Sequence, residues 1–171
     1  MNAVLRQKLN EQINKEYYSA YLYLAMSDWL LNAGWPGAAK WMAAQYREEV
    51  VHAEGLYRWL QRVGEKVDLA TIEKPKTEWT SLLNVFEEAL EHEKFVTASI
   101  YDLVAEARKA GDVATARFLD WYVMEQVEEE QNGNDNILGI QRCAGHAPAL
   151  IHFDNQLGAR SFESDEIPYL D

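Results

Sequence analysis

Apolar positions recur in steps of three and four over most of this chain, interrupted only by short polar stretches marked by glycine and proline. Leu5, Leu9, Ile13, Ala20 and Tyr23 fall on one face at that spacing, which predicts a long helix from Ala3 to Asn32. Asn32-Ala33-Gly34-Trp35-Pro36-Gly37 reads as its stop and a tight turn, with Pro36 placed to open a second helix. That helix carries Met42, Gln45, Leu56 and Leu60 along its seam as far as Val63, and Gly64 is its C-terminal cap. A third helix is expected from Thr80 or Ser81 to Ala110-Gly111, with Phe86, Leu90, Thr97, Ile100 and Val104 facing inward. Asp112 is read as the N-cap of a fourth, which aligns Phe118, Tyr122, Gln126, Ile137 and Ile140 and ends at Cys143-Ala144-Gly145-His146. Its stretch Asn132-Gly133-Asn134-Asp135-Asn136 is weak by helix propensity, so the pattern allows a bend there. A short fifth helix spans roughly Pro148 to Leu157. The tail from Ser161 is polar and acidic and is expected to be loose as far as Ile167-Pro168-Tyr169-Leu170. The sequence thus divides into one all-α unit over 1–160 and an acidic C-terminal tail over 161–171.

The connection between the second and third helices, residues 64–79, has no helical period and contains Pro75. A helix of about 28 residues is ~42 Å long, and about 16 extended residues reach ~53 Å. The linker can therefore run the full length of a bundle and set the third helix parallel to the second. The fold class expected is a four-helix bundle with one long crossover and a short fifth helix.

Four glutamates lie on these inward seams rather than opposite them: Glu16, Glu49, Glu93 and Glu129. Glu49 begins Glu49-Val50-Val51-His52, and residues three apart on a helix share a face, so His52 joins the same seam. Any one seam glutamate alone reads as a solvated surface residue. Four together, buried without a partner, would be protonated or would cost several kcal/mol. A shared cation resolves this, and oxygen ligands with one imidazole suit iron. Glu49, at the middle of the pattern, is the expected bridge between two ions, with Glu16 and His52 completing one site and Glu93 and Glu129 the other. His92, His146 and His152 fall off the seam and read as structural or solvated. Trp41, Trp59 and Trp79 read as packing, and Cys143 as a loop thiol.

Charge narrows the partners. The 171-residue chain has a net charge of −12, which disfavours nucleic acid and anionic membrane and favours cations. One cysteine leaves no intrachain disulfide framework. The N-terminal stretch is already amphipathic, with no apolar signal core and no bilayer-length apolar run anywhere, so a cytoplasmic protein without a membrane partner is expected.

The motifs NEQINKEYYSAYLYLAMSDW, YREEVVHAEGLYRWL, ALEHEKFVTASI and DWYVMEQVEEE together resemble the bacterial non-haem ferritins, over roughly residues 1–160. The resemblance implies a ferritin-like bundle assembled as a hollow homo-oligomeric cage of 24 subunits. That cage would oxidise Fe(II) with oxygen or hydrogen peroxide and store ferric mineral, with no haem. It implies a first iron site at Glu16, Glu49 and His52, and a second at Glu49, Glu93 and Glu129 with Gln126 nearby. It implies a third iron site at Glu48, Glu125, Glu128 and Glu129, and an electron-supplying role for Tyr23 and Trp121 beside the centre. The chain departs from the family pattern in its Asn- and Gly-rich stretch after Glu130, in the loop Arg142 to Pro148, and in the acidic tail.

Two relatives of the same fold offer the alternative of a di-iron oxidase or peroxidase without large-scale storage. Bacterioferritin requires a second Glu-x-x-His and a haem-binding Met after the second-helix Glu, where this chain has Asn132 and Val50. Rubrerythrin-type enzymes carry a cysteine module that one cysteine cannot build.

Overall fold

The computed structural model describes residues 1–162, 167, 168 and 170. They form α1 (Ala3–Asn32), α2 (Pro36–Arg62), α3 (Leu82–Lys109), α4 (Val113–Arg142) and α5 (Ala147–Leu157), with no strand among the described residues. None of these helices is long and apolar enough to cross a membrane.

Local chemistry sets the boundaries. Asn2 accepts from the Leu5 N–H, Ser81 from Asn84 and Asp112 from Thr115, each supplying an acceptor to a first-turn amide. Pro36 occupies the first turn of α2, where its missing N–H costs nothing. His146 caps α5 through Nδ1, which accepts from the Ala149 N–H at 3.2 Å. Its structural reading thereby gains a specific role.

The weak stretch in α4 does not interrupt it: the helix runs unbroken through Asn132 to Asn136. The glycine there serves packing instead. A Cβ on Gly133 would lie 3.0 Å from Leu90 Cδ1, so α3 and α4 approach closely at this point.

The crossover is pinned to α1 as it climbs the bundle. Asn10 accepts from the Asp68 N–H at 2.6 Å, and Asn14 donates to the Thr71 carbonyl at 3.1 Å. Further along, Trp79 meets Trp29 edge-on at 6.1 Å. These contacts start low on α1 and end high, so α3 sets out beside the N-terminal end of α2 and runs parallel to it. The pairings of α1 with α3 agree: Asn2 reaches Glu106, Lys8 reaches Asp102 and Ser19 reaches His92, an antiparallel series.

Two apolar clusters fill the interior. One gathers Leu5, Leu9, Ile13, Leu56, Leu60, Ile100 and Phe118. The other gathers Met26, Leu30, Met42, Val85, Phe86 and Ile140. A polar layer lies between them. The expected looseness of the tail falls mostly on residues 163–166, outside the described residues. Ile167 beyond them is buried in the first cluster.

Candidate metal centre

The polar layer consists of Gln12 and Glu16 from α1, Gln45, Glu49 and His52 from α2, Glu93 from α3, and Gln126 and Glu129 from α4, none more than 3% exposed. Each helix places its residue inward because the same three- and four-residue steps that bury its leucines carry the seam through that position. One ligand atom each from Glu16, Glu49 and His52 lies within 4.8 Å of the other two. His52 Nδ1 stands 3.5 Å from Glu49 Oε2, and His52 Nε2 stands 3.7 Å from Glu125 Oε1.

Amides and one phenol hold the carboxylates in place. Gln12 Nε2 donates to Glu16 Oε1 at 2.9 Å, and Gln45 Nε2 donates to Glu129 Oε2 at 2.8 Å. Gln126 Nε2 lies 3.2 Å from Glu93 Oε2 and 3.2 Å from Thr97 Oγ1. The Tyr23 hydroxyl donates to Glu93 Oε1. Behind His52, the Tyr122 hydroxyl donates to its backbone carbonyl at 2.8 Å, and the Trp121 ring meets the imidazole edge-on at 5.5 Å.

What remains unpaired is informative. Glu16 Oε2, Glu49 Oε2 and Gln45 Oε1 are buried oxygens with no hydrogen-bond partner among the described residues. Buried acceptors in native proteins are ordinarily satisfied. Oxygens left open beside a histidine nitrogen are the donor set a divalent transition-metal ion takes.

The electrostatics agree. Burial pushes the Glu49 carboxyl well above the usual carboxylate range, and the negative charges of Glu93 and Glu16 push it further. Burial raises Glu129 well above that range too, with Glu93 and Glu49 adding to it. Glu16 is raised by burial, against the lowering effect of His52 and of the Gln12 hydrogen bond. Burial brings Glu93 up to about 7, although the bonds from Tyr23 and Gln126 favour its ionised form. The metal-free centre is therefore a set of carboxyls that resist ionising together, and a cation reverses this.

The residues expected from the sequence separate into two groups. Glu16, Glu49, His52, Glu93, Gln126, Glu129 and Tyr23 converge in one layer, with Trp121 at its edge. Glu125 reaches the outer side of His52, whereas Glu48 forms an ion pair with Arg160 at 2.6 Å and Glu128 is exposed. Sequence reasoning gave no role to Gln12, Gln45 or Arg160. A signal for the amides existed: Gln12 stands one turn before Glu16, and Gln45 one turn before Glu49, on the same faces. Arg160 had none, because its partner lies 112 residues away.

A ferritin-like domain profile matches residues 6–143. The chain belongs to the ferritin family. It is 35% identical to the bacterial non-haem ferritin of Staphylococcus haemolyticus over 161 residues, covering 94% of this chain and 97% of that one. It is 36% identical to the corresponding ferritin of Staphylococcus saprophyticus over 166 residues, covering 97% and 99%. Among solved structures it is similar to an open-pore ferritin of the hyperthermophilic archaeon Archaeoglobus fulgidus, with a TM-score of 0.93 and 39% identity over 94% of this chain and 99% of that one. A form of that archaeal ferritin engineered to be closed matches with a TM-score of 0.93 and 40% identity, covering 95% and 99%.

Proposed function

We propose that this ferritin is an iron-storage ferroxidase, oxidising Fe(II) at the buried layer and storing the ferric product inside a homo-oligomeric cage of 24 subunits. One observation carries the reading: Glu16 Oε2 and Glu49 Oε2 are buried beside His52 and have no hydrogen-bond partner among the described residues. Iron is the substrate here. Two Fe(II) ions take the layer, one held by Glu16, Glu49 and His52, the other by Glu49, Glu93 and Glu129. Each gives one electron to oxygen or hydrogen peroxide. Gln12, Gln45 and Gln126 keep the carboxylates oriented through the change of charge. Tyr23, bonded to Glu93, and Trp121, against His52, are placed to supply a further electron. Glu48, Glu125, Glu128 and Glu129 form the third iron site. No haem takes part, and the working compartment is the cytoplasm.

The test is an aerobic Fe(II) titration of the metal-free protein, with retained iron counted after gel filtration. Iron held soluble in a large particle far beyond two or three ions per chain is the expected result. Uptake that stops at two or three per chain would instead make the protein a di-iron oxidase or peroxidase.

A further inference from the structure

Asp154, Gly158, Arg160 and Ile167, from the C-terminal part of the chain, contact α2. Asp154 accepts from the Gly37 and Ala38 amides at the start of α2, at 3.0 and 2.8 Å. Gly158 packs so closely on this corner that a Cβ would lie 2.9 Å from Gly37 Cα. Two residues on, Arg160 lays its guanidinium over the Trp41 ring, 4.5 Å from the centroid. Its Nη2 donates to Glu48 Oε2 at 2.6 Å. Ile167 then fills the space over Gly55, where a Cβ would lie 2.3 Å from Ile167 Cδ1. The contacts on α2 fall at 37, 41, 48 and 55, steps of four and seven that trace one stripe of the helix.

Glu48 is not a remote surface acid. Its charge acts on both Glu49 and Glu129, the carboxyls at the heart of the layer. The Arg160 pair is also partly sheltered, with the two side chains 23% and 13% exposed, so solvent screens it less than a surface pair. Its hold is incomplete, however. Arg160 Nη1 is buried with no hydrogen-bond partner among the described residues, and an unmet buried donor favours release. A guanidinium on Glu48 Oε2 takes up acceptor capacity of that carboxylate and repels a cation arriving at it.

Resting on the reading of the layer as an iron centre with a third site, we propose that Arg160 is a built-in competitor for the third cation. Its guanidinium holds Glu48 Oε2 in the metal-free protein, and a cation binds that carboxylate against its charge. Among the described residues no ligand of the first two ions pairs with Arg160, so the contest falls on the third position. The chain thus fills its centre in order, with the third position weakened by its own C-terminal segment.

Anaerobic calorimetric titration with Zn(II), which is redox-silent, separates binding from oxidation. In the full-length metal-free protein two ions should bind tightly and a third weakly. Arg160→Gln should tighten the third by roughly tenfold or more, the size expected for loss of one charge-assisted bond to its ligand. Arg160→Lys, which keeps the charge and loses the fork, should fall between. Tryptophan emission should change with the third ion, and this change should vanish in Trp41→Phe. Adding Glu48→Gln to Arg160→Gln should abolish the third ion. The proposal is overturned if the Arg160→Gln isotherm superimposes on the wild type, or if the third ion survives the double substitution. Failure of the wild type to bind the first two ions would instead bring down the iron-centre reading, and this one with it.

Discussion

Asp154 and Gly37 stand 117 positions apart in sequence, yet the Asp154 carboxylate accepts the Gly37 N–H at 3.0 Å and its backbone carbonyl fills the space a side chain at 37 would need. A Cβ there would lie 1.7 Å from the Asp154 oxygen. Gly37→Ala must therefore push α5 off α2. Asp154→Ala removes a buried charged cap from two amides. Each should destabilise the protein by about 1–3 kcal/mol, seen as a lower Tm by calorimetry. An unchanged Tm in both would mean that α5 is held elsewhere.

Glu49 is the one carboxylate assigned to both ions. Glu49→Ala should slow Fe(II) oxidation by more than the roughly 100-fold that loss of a supporting partner costs, followed by stopped-flow absorbance of the ferric product. Assembly should be intact by gel filtration, since the charge removed is one the apolar interior opposes. Oxidation at the wild-type rate would refute the assignment of the site.

Stability should depend on pH in the metal-free protein and lose that dependence when metal is bound. Glu93 titrates at about 7 when folded, and Glu16, Glu49 and Glu129 are raised as well. Above the ordinary carboxylate range the folded protein holds protons that the unfolded chain has lost. The stability these groups contribute is full below that range and is lost as pH rises through about 7. The Tm of the metal-free protein should fall between about pH 5 and pH 8. Bound cations need ionised ligands, so the loaded protein should lose the effect, and loading near neutrality should release protons. Zn(II) titration in two buffers of different ionisation enthalpy measures that release, and a buffer-independent heat would contradict it.

Tyr23 donates its hydroxyl to Glu93, and burial beside Glu93 holds the phenol well above its usual range, so it is protonated at neutral pH. Tyr23→Phe keeps the packing volume and deletes the bond. Oxidation should slow by roughly 10- to 100-fold, and any tyrosyl radical signal seen by EPR in the wild type during turnover should be lost. A signal that persists would move the electron-donor role to another tyrosine.

The sequence determined the helices, their caps and the seam. Pro36, Ser81, Asp112 and Gly64 act within a turn of the residues they control, and three- and four-residue steps fix which face Glu16, Glu49, His52, Glu93 and Glu129 occupy before any packing occurs. The crossover was legible because its length alone permits a parallel third helix. The convergence of carboxylates followed, since one seam per helix leaves one interior to share. Tertiary structure decided the rest. The Asn-rich stretch of α4 is helical because packing of Gly133 against Leu90 overrides weak propensity. Gln45 finds Glu129, Asp154 finds Gly37 and Arg160 finds Glu48 across 84, 117 and 112 residues. No periodicity encodes such pairs. They exist only once the helices are docked, because a hydrogen bond is set by a few tenths of an ångström in space and leaves no spacing in the chain.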